Sequence, residues 1–399
     1  MSCPSCPVPS APRHHLGRVP ALWWAAATMV TFLAASSAPS PLYGVYRASW
    51  GFSALTLTWV FSVYAFALLA ALLVGGRLSD HLGRRRVIVF ALLAELASVW
   101  LFREAESVAW LAAARTLQGL ATGIATSALS ALLLDLSPLR ASMLNGVAPM
   151  LGMALGALGS AALVQFAPAP TELVYDVLLV LLAVQAVAAL CLPDTVPGRR
   201  GAWASLRPRL ALPPAARAAL WRVLPLNTAA WALTGLFLSL GPTLARQVTG
   251  LQAPVVGGAL ITALVLPGAV ASVYAQARTP ARMLAQGAIG LTAGLVLTLA
   301  GIRLGSVWVL YAGAVVAGLG MGCGFNGTLR SLVPLAPPEQ RAGLMASFYV
   351  CSYLGFSVPA ILAGLATNLF GLPAAVLGYG LVLLALAAVA LRSTRRLPA

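Results

Sequence analysis

One apolar segment of the sequence carries three polar side chains on a single face. Arg115, Gln118 and Thr122 are spaced i, i+3 and i+7, which places them on one side of an α-helix. A guanidinium is charged at any physiological pH, so it is costly in an apolar segment unless it faces a cavity or a partner. We therefore predict a functional charge at Arg115. The alternative is a side chain that extends outward to the membrane surface.

Glu95 is the second charged residue well inside an apolar segment. Its carboxyl group could carry a proton, form a static ion pair with Arg115, or lie close to the headgroups. The sequence leaves these alternatives open. Together, Arg115 and Glu95 are the predicted groups for proton coupling.

The composition indicates a chain that lies in a lipid bilayer. Of the 399 residues, 60% are hydrophobic and 9% are charged, and the mean hydropathy is +0.91. Soluble domains carry roughly a quarter charged residues, so we predict an all-α, multi-pass membrane protein. The twelve predicted spans are 21–43, 54–76, 86–102, 107–134, 143–165, 173–192, 223–245, 253–275, 283–302, 305–329, 343–366 and 371–391.

A polar, Arg- and Pro-rich segment divides the spans into two pseudo-symmetric sets of six. A shift of 199 residues lays G-L-A-T-G (119–123) on G-L-G-M-G (318–322), as expected for parallel repeats with a site between them. The predicted parts are a disordered cytoplasmic tail (1–20), an N-terminal half (21–192), a cytoplasmic linker (193–222), a C-terminal half (223–391) and a cytoplasmic tail (392–399).

The arginines predict the orientation. All 25 basic residues are arginine; twenty fall in the tails and loops of one side, four in the loops of the other, and Arg115 in a span. By the positive-inside rule both termini are cytoplasmic. The basic residues form no continuous face, so the net charge of +16 does not predict nucleic-acid binding.

The sequence lacks the residues that several other classes of protein need for their function. Without lysine there is no Walker A motif or Schiff base, and the three histidines lie outside the spans with no H-E-x-x-H or G-x-S-x-G motif, so we predict no enzyme and no cofactor. No selectivity-filter pattern of a channel is evident. Cys3 and Cys6 form a C-P-S-C pair without further ligands, so no metal site is predicted.

The loop between the second and third spans reads G-R-L-S-D-H-L-G-R-R-R over residues 76–86. Four arginines and an acid cannot lie in hydrocarbon, which predicts a short loop. The stretch resembles the G-x-L-x-D-R-x-G-R-R signature of the major facilitator superfamily, with His81 where the family usually carries arginine. The matching residues are Gly76, Leu78, Asp80, Gly83, Arg84 and Arg85.

Two further stretches are similar to motifs of that family. Arg115, Gln118 and Gly119 match the R-x-x-Q-G-x-G signature of proton antiporters, in which the arginine takes part in proton coupling. Gly152 and Gly156 match the exporter motif G-x-x-x-G-P-x-x-G-G, with Ala157 in place of proline. Simple helix packing by small residues is the alternative explanation for the second match.

The resemblance also implies a gate and a cavity. Asp135 would complete a charge network with Arg84 at the cytoplasmic gate, a latch that we expect to favour the outward-open state. The first, fourth, seventh and tenth spans would surround the substrate. The predicted cavity residues are Gln118, Thr122, Asn227, Trp231, Thr234 and Asn326.

The implied function is a secondary transporter of the drug/proton-antiporter-like branch in a bacterial inner membrane. It would export a small molecule by alternating access, coupled to protons, and act as a monomer without a cofactor. The first span has no acid, so coupling would fall to Glu95 and Arg115. The alternative is an uptake symporter or a uniporter of a small organic solute.

Overall fold

A computed structural model describes residues 16–196, 198, 201–206 and 210–394. Most of the predicted N-terminal tail, with Cys3 and Cys6, lies outside the described residues. So do parts of the predicted linker and of the C-terminal tail.

The described residues form helices joined by short connections. Every backbone N–H and C=O group in hydrocarbon needs an internal partner, and a helix supplies one within the segment. The sixteen α-helices are α1 (Arg18–Ser37), α2 (Pro39–Trp50), α3 (Ala54–Gly75), α4 (Leu78–Leu82), α5 (Arg84–Arg103), α6 (Val108–Leu136), α7 (Pro138–Phe166), α8 (Leu173–Ala189), α9 (Ala202–Ser205), α10 (Pro214–Ser239), α11 (Gly241–Thr249), α12 (Pro254–Tyr274), α13 (Pro280–Leu304), α14 (Val307–Leu332), α15 (Pro338–Phe370) and α16 (Leu372–Thr394).

Each predicted span coincides with one of these helices or helix pairs. Nine spans in the described chain are long and apolar enough to cross a bilayer, counting α1–α2 as one, and the bent pair α10–α11 makes a tenth. The two remaining predicted spans are α5, which is rich in arginine, and α8, which has 17 residues. The helix α10 begins at Pro214 and so extends into the segment predicted as linker.

The first span of each half consists of two helices, of which α1 and α2 together form one span and α10 and α11 form a sharply bent pair. Residue Ala38 separates α1 from α2, and Leu240 separates α10 from α11, which bend by 68°. Both second pieces end at a glycine with left-handed φ, Gly51 at 67° and Gly250 at 69°. These glycines are 199 residues apart in the sequence, so the predicted repeat extends to the backbone.

Helices α1–α8 form the N-terminal half and α10–α16 the C-terminal half, and the halves meet along two helix pairs, α3 with α15 and α7 with α12. We call the end of the bundle that carries the loop 76–83 the basic side, and the end that carries Gly51 and Gly250 the opposite side. The all-α, twelve-span fold in two similar halves agrees with the prediction.

Candidate functional site

Arg115 is the largest fully buried side chain of the described chain, and it lies inside the N-terminal half. Its Nε donates to the Tyr43 hydroxyl at 2.6 Å, and Nη1 donates to the Ser36 carbonyl at 2.7 Å and to Gln118 Oε1 at 2.6 Å. The partners come from α1, α2 and α6. The side chain therefore does not extend to the membrane surface, and the alternative of an outward-reaching arginine is wrong.

Aromatic rings surround the same guanidinium. The Arg115 Cζ atom lies 5.4 Å from the Tyr43 ring centroid, 5.3 Å from that of Tyr64 and 5.5 Å from that of Phe102. A cation over an aromatic face is attracted by the ring quadrupole, and this attraction is stronger when water is excluded. The rings therefore offset part of the cost of burying the charge.

Gln118 connects Arg115 to Glu95. Its Nε2 donates to Glu95 Oε1 at 3.2 Å, while its Oε1 accepts from Arg115. No direct ion pair joins Arg115 and Glu95 within 4.0 Å in the described chain. The alternative of a direct ion pair is thus wrong, because Glu95, which is fully buried, is bonded to the amide between the two charges.

The break in the first span helps to hold Gln118. Pro39 has no N–H, so the carbonyl of Ala35, four residues earlier, lacks its helical donor. Gln118 Nε2 donates to that carbonyl at 3.1 Å. The amide therefore satisfies a backbone group that a continuous helix would have satisfied itself.

Three side-chain atoms of this cluster have no hydrogen-bond partner among the described residues. They are Arg115 Nη2, Glu95 Oε2 and Thr122 Oγ1. Thr122 is buried beside the Glu95 carboxylate, one turn beyond Gln118. Unpaired buried polar atoms are uncommon and cost about 1–3 kcal/mol each, so this cluster has capacity for one more proton or polar guest.

Glu95 is the one fully buried carboxylate in the described chain. The Asp176 carboxylate, by contrast, is exposed at the opposite side, where it binds Arg103 at 2.6 Å. The hydrogen bond to Asp176 raises the pKa of the Arg103 guanidinium above its ordinary value, with a smaller contribution from Glu104. Among the acids, Glu95 alone is fully buried inside the bundle.

The predicted cavity residues of the second half lie on α10 and α14. Asn227 Nδ2 donates to the Ser352 hydroxyl at 2.9 Å, and Thr234 Oγ1 contacts Met321 Sδ at 3.1 Å. Asn326 Nδ2 donates to the Gly322 carbonyl of its own helix at 3.0 Å. Asn227 and Thr234 are buried, whereas Asn326 is partly exposed.

Trp231, between Asn227 and Thr234 on α10, belongs to an aromatic cluster. Its ring lies 4.9 Å from that of Tyr353, 5.9 Å from that of Phe356 and 6.5 Å from that of Phe325. Phe356 in turn contacts Phe61 of the N-terminal half at 5.0 Å. The cluster is thus a continuous aromatic wall that reaches the boundary between the halves.

This wall approaches the buried charge cluster at one point. Tyr64, which lies over Arg115, is on α3, and α3 packs against α15, the helix that carries Tyr353. The aromatic wall and the buried charge cluster therefore lie on the two sides of the same boundary between the halves.

The halves are joined on the opposite side. Ser62 Oγ donates to the Ser357 carbonyl at 3.2 Å, and Ala54 N donates to Asn368 Oδ1 at 3.1 Å. At the other helix pair, Val255 N donates to Gln165 Oε1 at 3.1 Å. These contacts between the halves close this conformation on the opposite side.

The predicted gate loop forms a charge network within the N-terminal half. Arg84 pairs with Asp80, and its Nε binds Asp135 Oδ2 at 3.2 Å. Thr195, just after α8, donates to the same Asp135 oxygen at 2.8 Å, and Arg85 binds Asp194 at 3.1 Å. The predicted contact of Arg84 with Asp135 therefore exists, and it does not itself bridge the halves.

The two loop glycines have different roles. Gly83 has φ of 92°, a conformation that favours glycine, and it joins α4 to α5. Gly76 has φ of −58° and continues the right-handed turn after α3. A Cβ atom at Gly76 would lie 2.5 Å from the Leu72 carbonyl oxygen, so Gly76 allows close backbone approach, whereas Gly83 allows the positive φ.

The predicted packing motif lies where α7 crosses α1. A Cβ atom at Gly152 would overlap the Val30 carbonyl, and one at Gly156 would overlap the Ala34 carbonyl. The helix axis continues through Ala157 without the proline of the exporter motif, and the proline inside α7 is Pro149. Close helix approach is therefore what both glycines provide here.

Comparison with known proteins agrees with the fold. The family model of the Major Facilitator Superfamily matches residues 24–300. The chain belongs to the major facilitator superfamily. It is thus a multi-pass membrane transporter of a small molecule.

Solved structures of major facilitator proteins superpose over most of this chain. A crystal structure of a mutant of the nucleoside transporter NupG covers 94% of this chain and 100% of its own, with a TM-score of 0.72 and 10% identity. The human organic anion transporter MFSD10 (TETRAN) covers 94% and 100%, with a TM-score of 0.62 and 19% identity. No curated protein sequence matches this chain.

Some contacting residues of this major facilitator protein were not predicted from the sequence. Tyr43 and Ser36 hold Arg115 from α1 and α2, where no sequence signal marked them. The aromatic residues of α15 carried a signal that could have been used. Tyr349, Tyr353 and Phe356 are spaced i, i+4 and i+7, the periodicity of one helix face.

Proposed function

We propose that this protein exports a small molecule by proton-coupled antiport, as a monomer in a bacterial inner membrane. The basic side would be cytoplasmic, with both termini, because twenty of the 25 arginines lie in its loops and tails. The conformation described is then closed to the outside. Export would alternate between this state and one in which the contacts between α3 and α15 and between α7 and α12 separate.

The buried chain of hydrogen bonds from Arg115 through Gln118 to Glu95 is the observation that carries the proposal. As a carboxylate, Glu95 accepts from Gln118 and lies near the Arg115 charge. A proton on Oε2, the oxygen without a partner, would neutralise it and give it a donor directed at a neighbour such as Thr122. The net charge of the cluster would change by one unit.

The charge change would act on the boundary between the halves. Tyr64 of α3 lies over the Arg115 guanidinium, and α3 packs against α15, which carries Tyr353 of the aromatic wall. A cluster of net positive charge holds these rings differently from a neutral one, because the attraction depends on the cation over the ring. Proton release would therefore be linked to the packing of α3 against α15, the pair that opens.

The aromatic wall indicates the substrate class. Trp231, Tyr353 and Phe325 offer flat apolar surfaces, and Asn326 offers a partly exposed amide. With an arginine rather than a carboxylate behind the wall, we expect an amphipathic compound that is neutral or anionic. Two structural neighbours, a nucleoside transporter and an organic anion transporter, are compatible with this class.

Uniport or uptake symport is the second candidate, and one observation favours uniport. The first span of the protein has no acid, and Glu95 is enclosed rather than exposed to a cavity. A structural role for Glu95 would leave the transporter without a proton carrier. The experiment below separates the candidates.

The test uses inside-out vesicles that contain the protein and an acid interior. A panel of dyes, sugars, nucleosides and amphipathic acids is added outside, and proton release is followed with a pH-sensitive dye. The tested variants are Arg115→Ala and Glu95→Gln, and Glu106→Gln is the matched control because that carboxylate is exposed. Antiport predicts release with some compounds, retained in Glu106→Gln and lost in the other two.

Two outcomes would overturn the proposal. If substrate equilibrates across the membrane with no proton release, the protein is a uniporter. If release persists unchanged in Glu95→Gln, another group carries the proton. Transport of lipophilic cations alone would contradict the expected substrate class.

A further inference from the structure

A cleft opens on the opposite side, at the boundary between the two halves. Its volume is about 610 Å³, and residues of α2, of α11 and of the start of α12 line it. The polar lining residues are Thr243, Arg246, Gln247 and Gln252. None of the lining residues is acidic, so the cleft presents hydrogen-bond donors and positive charge.

Arg246 is held in place by contact with the other half. A Cβ atom at Gly44 of α2 would overlap the Arg246 guanidinium, so the charged group lies directly against the Gly44 backbone. Within the described chain, no carboxylate lies within 4.0 Å of Arg246, and its side chain has no hydrogen bond. Because this half-buried guanidinium has no carboxylate or hydrogen-bond partner there, its five N–H donors are available to a ligand.

A second arginine increases the positive charge. Arg47 of α2 is a charged neighbour of Arg246, and its Nε donates to the Phe52 carbonyl at 3.2 Å. Its terminal nitrogens form no ion pair in the described ranges. Two like charges without an acid repel each other, and an anion bound at Arg246 would relieve this repulsion.

The two arginines are equivalent positions of the repeat. They lie 199 residues apart, the offset that also relates Gly51 to Gly250 at the ends of α2 and α11. Each is thus contributed by the broken piece of the first span of its half.

We propose that this cleft binds a phosphate-type oxyanion at Arg246. Arginine binds oxyanions through paired N–H donors, and the amides of Gln247 and Gln252 and the Thr243 hydroxyl complete the donor set. The start of α12 at Pro254 adds the positive end of a helix dipole. The bound anion contacts both halves and therefore stabilises the conformation that is closed on the opposite side.

The ligand is either a free anion or the phosphodiester of a lipid headgroup, and both supply the same oxygens. The inference is independent of proton coupling and of the transported substrate, so its test measures binding rather than transport.

The experiment follows thermal unfolding of the full-length protein in a neutral detergent, over a series of inorganic phosphate concentrations. Chloride keeps the ionic strength constant. The Tm is expected to rise and saturate with phosphate because the ligand binds the folded state. In Arg246→Gln, the phosphate concentration that gives half of the maximal rise in Tm should increase by about tenfold or more.

Two variants control for general damage to the fold. Gly44→Ala keeps every charge but displaces the Arg246 guanidinium, and it should weaken the phosphate response in the same direction. Arg303→Gln removes an exposed arginine elsewhere on the opposite side and should leave the response unchanged.

A second arm identifies the source of the anion. The protein is placed in nanodiscs of phosphatidylcholine with or without phosphatidylglycerol. Stabilisation by phosphatidylglycerol that is lost in Arg246→Gln supports a lipid headgroup, and stabilisation by phosphate alone supports a free anion. If neither ligand raises the Tm, or if Arg246→Gln responds as the wild type does, the proposal is wrong.

Discussion

Arg115 and Gln118 lie one turn apart on α6, and Arg115 Nη1 donates to Gln118 Oε1 at 2.6 Å. That bond fixes the orientation of the amide, because only its oxygen can accept from a guanidinium. Its nitrogen is then left to donate to Glu95 Oε1. The glutamine thus places a cation and an acid at its two ends without direct contact between them.

Replacing Gln118 should break this connection. Methionine is similar in volume but bonds neither neighbour, so Gln118→Met leaves the buried Arg115 and Glu95 each short of a partner, at a cost of about 1–3 kcal/mol for each group. We expect a lower Tm and at least a tenfold loss of gradient-driven transport. Thr116→Val on the exposed face of α6 is the control. Wild-type transport in Gln118→Met would exclude a role for the amide.

The contact of Arg84 with Asp135 can be tested by a double-mutant cycle. The side chains are partly buried and bonded at 3.2 Å, so Arg84→Ala and Asp135→Asn should each lower the transport rate and the Tm. Their combined effect should be smaller than the sum, with a coupling energy of about 0.5–3 kcal/mol.

The control for this cycle is Arg86→Ala. Arg86 belongs to the same loop but is exposed, and removing it should have little effect. If neither Arg84→Ala nor Asp135→Asn changes transport, the latch has no functional role. If transport and stability change additively, the two residues act separately.

Two glycines of α7 provide a matched test of helix packing. Gly156→Ala forces a Cβ into the Ala34 carbonyl and the Ser37 hydroxyl on α1, and should destabilise the protein by about 1–3 kcal/mol. Gly159→Ala meets nothing within 4 Å and should stabilise the helix by up to about 1 kcal/mol. Thermal unfolding in detergent measures both. Equal Tm values would show that α1 and α7 do not depend on this close approach.

The aromatic wall predicts a specific loss of substrate affinity. Trp231→Ala removes the ring that contacts Tyr353, Phe356 and Phe325, so KM should rise by about tenfold or more, with the maximal rate less affected. Trp221→Ala, on an exposed part of the same helix α10, should behave as the wild type. An unchanged KM in Trp231→Ala would place the substrate elsewhere.

Local and periodic features could be predicted from the sequence. The spans followed from hydropathy, because about twenty apolar residues are needed to cross a bilayer and only helices satisfy their own backbone there. The loop 76–83 and its ion pairs followed from charge, since such residues cannot enter hydrocarbon. The family also followed, because its motifs are short runs of neighbouring residues.

The partners of buried residues could not be predicted in this way. Arg115 is bonded by Tyr43, 72 positions earlier, and by a carbonyl of a helix that ends at Ser37. Neither the break at Ala38 nor the side of α1 that faces α6 follows from periodicity, because α1 is apolar nearly all round. The aromatic wall was predicted in part: Trp231 was expected, whereas Tyr353 and Phe356 come from a helix more than a hundred residues later.

The sequence by itself determined which segments lie in the membrane, how many there are, and that one arginine and one acid lie within them, because these properties depend on neighbouring residues. The tertiary structure alone decided that Gln118 separates Arg115 from Glu95, and that Arg246 lies against Gly44 of the other half. Those relationships depend on how helices pack, and packing combines surfaces that are far apart in the chain.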